Sequence, residues 1–203
     1  MSKTPSTSSS ITVNPAPFTQ ASGGSAVPAD GAATSTFTSL TGPSYSENAS
    51  GNVGTGTIIL KAPTGFVFDT GGAVPTVLMT RLSGTGKNTA NINDVASGTA
   101  VAMTSVTSTQ LVFTVTSSSA SGVTCKLTWQ NVRIRPTAGT PLVAGNLART
   151  GTASVVGLST TANLGTLREV AGAANNLAIQ TQPSARSTQA EIPTFSICSI
   201  GIV

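Results

Sequence analysis

Val123-Thr124-Cys125-Lys126-Leu127-Thr128-Trp129-Gln130-Asn131-Val132-Arg133-Ile134-Arg135 is the stretch that decides the fold. Val123, Cys125, Leu127 and Trp129 hold the odd positions, with Thr124, Lys126 and Thr128 between them. Successive side chains of a strand point to opposite faces, so this pattern reads as a strand with one face in a core and the other in water. Trp129 and Cys125 belong to the inward set. After Gln130-Asn131 the apolar residues move to even positions, Val132 and Ile134. A one-residue change of phase is what a β-bulge produces; the other arrangement is two strands divided at Gln130-Asn131. Neither Gly nor Pro stands at that point, so a bulge is expected. Pro136 ends the segment.

Similar extended pieces lie on both sides. Leu111, Phe113 and Val115 alternate within Gln110 to Thr116. Thr36 to Leu40, Gly54 to Lys61, Phe66 to Phe68, Val74 to Leu82 and Ala100 to Val106 are further strand candidates upstream. Thr150 to Val156, Asn163 to Val170 and Asn176 to Thr181 are candidates downstream. Turn signals separate them, clearest at Gly42-Pro43-Ser44 and Ala62-Pro63-Thr64-Gly65. No stretch carries the three-and-four spacing of a helix of normal length. Short strands divided by Gly or Pro predict an all-β, antiparallel β-sandwich, Ig-like or jelly-roll-like.

The composition agrees with that class. Charged residues make up 8% of the 203 residues and aromatics 4%, and histidine is absent. An ordinary domain carries about 25% charge. Thr, Ser and Asn must therefore cover the wet face, and Thr also suits a pleated strand. With 38% apolar residues and a net charge of only +4, disorder is not the reading for the central region.

The ends differ from it. Residues 1–34 run through Ser, Thr, Pro, Gly and Ala, and are expected to be a flexible leader or an exchangeable strand. The sandwich is expected over 35–182. Residues 183–203 end in Ile197, Ile200, Ile202 and Val203, an apolar tail or the start of a further module. The opening Met1-Ser2-Lys3-Thr4-Pro5 shows no signal peptide. No run approaches the roughly 20 apolar residues of a membrane span.

Few residues offer chemistry. Without histidine, the usual proton shuttle and metal ligand are missing. The six acids, Asp30, Glu47, Asp69, Asp94, Glu169 and Glu191, are far apart in sequence. A catalytic pair would have to be brought together by folding, such as Asp69 with Asp94 in a pocket. Asn91-Ile92-Asn93-Asp94 is the one calcium-like run, and is read as loop capping. Gly84-Thr85-Gly86-Lys87-Asn88 lacks the spacing of a phosphate loop and is read as a hairpin loop. Cys125 and Cys198 leave a disulfide open without implying one. Trp129 and Tyr45 could stack on a sugar ring, but Trp129 continues a core face. Arg133 and Arg135 are the one close basic pair, too sparse for nucleic acid. No catalytic, cofactor or metal residue is assigned, and no cofactor is expected.

Three runs carry a resemblance. Gly165-Thr166-Leu167-Arg168-Glu169-Val170-Ala171-Gly172-Ala173-Ala174-Asn175-Asn176-Leu177-Ala178-Ile179-Gln180-Thr181-Gln182-Pro183-Ser184 resembles a junction between repeats. Gly56 to Phe68 and Val132 to Thr140 resemble strands of the same modules. Together they are similar to tandem Ig-like or related β-sandwich modules of large bacterial cell-surface, adhesin-like proteins, over roughly residues 35–184. The chain holds about one such module where the family usually has a long array. The resemblance implies an exported structural or adhesive role and transfers no site residues.

The resulting expectation is a non-enzymatic, extracellular or cell-surface structural subunit. It would self-assemble into a layer, fibre or matrix by strand pairing or tail exchange. Its partners would be copies of itself or neighbouring modules, with no nucleic acid and no membrane span. The alternative is an adhesin or carbohydrate-binding module with surface glycans as partners.

Overall fold

Alternation in sequence becomes alternation in burial. In the computed structural model Leu111, Phe113 and Val115 of the strand Gln110–Val115 are buried while their neighbours are half-buried. Cys125, Leu127 and Trp129 do the same in Thr124–Gln130. The two strands lie in different sheets, and their inner faces meet where the Phe113 and Trp129 rings pack edge to face, 6.5 Å between centroids. The structure describes residues 18–172. The expected Asn176 to Thr181 strand, Glu191, Cys198 and the apolar end lie outside the described residues.

The larger sheet orders Phe18–Thr19, Ser44–Ser46, Thr124–Gln130, Thr76–Ser83 and Thr99–Ala102, every neighbouring pair antiparallel. A second orders Ala148–Thr150, Gly56–Lys61, Gln110–Val115 and Ser105–Val106, also antiparallel. Two three-stranded sheets complete the molecule. One is Thr38–Ser39, Arg133–Pro136 and Phe66–Phe68. The other is Ala144–Asn146, Thr166–Val170 and Val27–Pro28, whose last pair is parallel. Among the described residues helix is confined to Gly31–Thr34 and the 3-10 turns Asn88–Ala90 and Ile92–Asp94. The fold is an all-β, sandwich-like packing of antiparallel sheets.

The segment that decided the class is divided differently from its reading. No bulge joins its halves: Thr124–Gln130 and Arg133–Pro136 are separate strands in separate sheets. Asn131 between them sits at φ 57°, the left-handed region, and donates its side-chain amide to Val74 O at 3.3 Å. Asn tolerates that region better than other non-glycine residues, so the chain turns there without Gly or Pro. The change of phase was real, but it marks a change of sheet. Val132 and Ile134 are fully buried beyond it. An irregularity of register does occur on the neighbouring strand. Thr124 faces Ser83 and Cys125 faces Arg81, leaving Leu82 unopposed.

Ala100 to Val106 also divides. Thr99–Ala102 ends the larger sheet and Ser105–Val106 ends the second. Buried Met103 is the corner: its N–H donates to Pro75 O, and that of Thr104 donates to Val112 O in the other sheet.

Thr150 to Val156 is mostly loop, with strand only over Ala148–Thr150 and an isolated bridge from Val155 to Val53. The loop carbonyls are taken from inside instead. Tyr45 donates its hydroxyl to Val156 O at 2.7 Å, and buried Arg149 donates to Ala153 O and Leu158 O.

Residues 18–34, expected within a leader, are part of the fold. Phe18 and Thr19 pair with Tyr45 and Ser44, and Val27 is buried beside the Thr166–Val170 strand. Pro28 is tolerated because Val27–Pro28 is an edge strand. Among the described residues no helix is long and apolar enough to cross a membrane.

Candidate functional site

The groups that chemistry would use are occupied in holding loops. Glu47 is buried, and its two carboxylate oxygens accept from the backbone N–H of Val53 at 3.0 Å and of Cys125 at 2.9 Å. Glu169 is buried as well and accepts from Val143 N–H at 2.9 Å. Asp69 pairs with Arg133 and accepts from the amides of Gly71 and Gly72. Asp69 is thereby committed to its own loop, and Asp94 lies exposed in the second 3-10 turn. Among the described residues no three His, Cys, Asp or Glu side chains gather as a metal site would require.

The Asn91 to Asp94 run does cap loops. Asn93, at φ 58°, accepts from Thr116 N–H and donates to Thr114 O. Asn91 is fully buried. It accepts from Arg81 Nε at 2.6 Å and donates to Val95 O. Arg81 was not singled out in the sequence, yet it organises the Gly84 to Asn88 loop by donating to Gly86 O and Lys87 O. Those carbonyls face a guanidinium of the chain itself, unlike a phosphate cradle, which presents N–H groups.

Both candidate sugar-stacking aromatics are buried: Trp129 is 3% exposed and Tyr45 2%. Arg133 and Arg135 share a face as expected, but are engaged, Arg133 with Asp69 and Arg135 over the Phe37 ring at 5.3 Å. Cys125 is buried with no disulfide partner among the described residues, and burial pushes its thiol up. An open groove of about 380 Å³ is lined by Pro28, Asp30, Thr34, Thr36, Thr38 and Gly172 among others, and its lining contains no aromatic.

Burial, followed by the charge of Glu47, pushes the Tyr45 hydroxyl up from 10 to about 12, while Arg149 acts in the opposite direction. Desolvation lowers Arg149 itself. The sign for stability follows directly. Between pH 10 and 12 the unfolded chain ionises its tyrosine first, so the Tyr45 contribution to stability is flat below pH 10 and falls as pH rises toward 12. Tyr45 is the sole tyrosine. Phenolate absorbance is therefore expected to titrate near 12 in the native protein and near 10 in denaturant. Coincident midpoints would contradict the buried hydroxyl.

What remains open to a partner is main chain at the sheet edges. The longest edge strand without a charge or a proline is Thr99-Ala100-Val101-Ala102, at the margin of the larger sheet, with Ala100 and Ala102 exposed. The other edges are shorter or guarded. Val27–Pro28 carries a proline, Ala148–Thr150 an arginine, and the N–H of Phe68 is taken by Ser108 O. Compared with protein-family models, with curated proteins and with solved structures, the chain finds no match.

Proposed function

We propose that this chain is a non-catalytic, extracellular structural subunit that joins copies of itself, or neighbouring modules, into a surface layer, fibre or matrix. The observation that carries the reading is the edge strand Thr99–Ala102, along which no charge or proline stands, although the Thr99 N–H is itself taken by Ala96 O. An edge strand is a template for another strand unless charge, proline or a bulge blocks it. The exposed face of this strand carries the alanines Ala100 and Ala102, so a strand added at the edge would find no charge beside it. The low charge of the whole chain acts the same way, since neighbouring copies repel little. The engagement of Glu47, Asp69, Glu169, Arg81 and Arg149 in loop contacts supports a scaffold over an enzyme. The resemblance to bacterial surface modules supports the location.

A carbohydrate-binding module is the second reading, and the open groove beside Asp30 favours it. With Trp129 and Tyr45 in the core, however, it would have to bind without a stacking platform.

The test is a pair of substitutions, Ala100→Lys with Ala102→Lys. Both positions are exposed, so stability is expected to change by less than about 0.5 kcal/mol. In light scattering the assembled mass is expected to collapse to that of a single chain. Assembly at wild-type mass in the double variant would remove this edge from the account.

A further inference from the structure

The two ends of the described fold lie side by side and run the same way. Ala21 bridges Gly165 in parallel, and Val27 and Pro28 pair in parallel with Glu169 and Val170. Beside the ladder of that pairing, three main-chain bonds of 2.8 Å stitch the seam: Ala21 N–H to Leu164 O, Arg168 N–H to Gly24 O, and Ala29 N–H to Val170 O. Glycine permits the close approach. A Cβ at Gly24 would lie 2.7 Å from Thr166 O, and one at Gly165 would lie 2.8 Å from Ala21 Cβ. Ser22 is tied on its other side to Thr41 by a reciprocal pair of bonds.

Just inside the short antiparallel pairing of Phe18 and Thr19 with Tyr45 and Ser44, this parallel pairing fixes where the chain enters and leaves the seam. It comes in at the Ala21–Gly165 end and goes out beyond Val170, roughly 17 Å further along the strand direction. The polypeptide continues past the seam on both sides. Tension along it pulls the entering segment backwards and the leaving segment forwards. The seam bonds are then loaded together, in shear. Had the two segments been antiparallel, the same tension would open their bonds one after another.

We propose that this seam is a load-bearing clamp, and that the chain's further function is to resist tension applied through its two ends. The inference goes beyond assembly: a fibre subunit need not carry load through its own backbone, but this topology routes load there.

The experiment is forced unfolding of the full chain, held by handles at its two ends. Wild type is expected to give one rupture that releases residues 18–172 together, roughly 500 Å of chain. Ala29→Pro with Arg168→Pro removes two donors that flank the ladder of the seam, and at a fixed load the variant is expected to unfold on the order of tenfold faster or more. Val123→Ala, a core change away from the seam, serves as control. It lowers stability in urea, yet is expected to change the loaded rate far less than the proline pair. Should the pair not fold, Ala29→Pro alone, at the end of the seam, gives the same comparison with a smaller acceleration. Wild type that unravels in several small steps, or a proline variant that ruptures at the wild-type rate, would overturn the clamp. A monomer with a strong single rupture would keep the clamp and remove self-assembly. Assembly without that rupture would do the reverse.

Discussion

Replacing Glu47 by alanine is expected to destabilise the protein by about 3 kcal/mol, because two buried N–H groups lose their acceptors and each unpaired donor costs about 1–3 kcal/mol. The carboxylate lies between the Val53 loop and the Thr124–Gln130 strand and accepts from both. Its own N–H donates to Cys125 O, so the strand pairing is extended one step beyond Ser46. Glu47→Gln keeps one acceptor oxygen and is expected to lose about half as much. Urea unfolding followed by tryptophan fluorescence measures both. A loss below about 1 kcal/mol for alanine would mean that the buried carboxylate is not a loop anchor.

Trp129→Ala is expected to cost about 3–5 kcal/mol, the range for emptying a large aromatic site in a core. For a protein of ordinary stability, about 5–15 kcal/mol, that is a third of the total or more. The ring is 3% exposed and packs edge to face on Phe113, so its removal opens the contact between the two main sheets. Trp129→Phe is expected to cost much less. It keeps an aromatic against Phe113, and the indole N–H it deletes has no hydrogen-bond partner among the described residues. The same pair separates scaffold from glycan platform. An exposed stacking tryptophan would leave stability within about 0.5 kcal/mol when truncated.

The strands that could be read from the residues are those with strict alternation. Gln110–Val115 and Thr124–Gln130 each bury one face against the other, and a period of two records that directly. What escaped reading is what alternation does not record. At Asn131 the change of sheet does leave a mark, a one-residue change of phase, but a bulge would leave the same mark, and at Met103 the alternation runs on from Thr99 to Thr104 through the corner. Residues 18–34 bury only Val27 and the small Ala29 as apolar side chains within a Pro- and Gly-rich stretch, too little for a readable periodicity. The buried charges were equally silent. Glu47 finds its acceptor role 78 residues away at Cys125, and Glu169 finds Val143 at 26 residues, contacts that only the strand order creates. The candidate edge was not legible in the residues. Which edge stays open depends on the order of strands, and composition does not contain that.

Electron microscopy of the purified full chain, across a concentration series and alongside the Ala100→Lys, Ala102→Lys variant, tests the central claim most directly. The account predicts ordered filaments or sheets for wild type and single particles for the variant. Single wild-type particles at every concentration would contradict it.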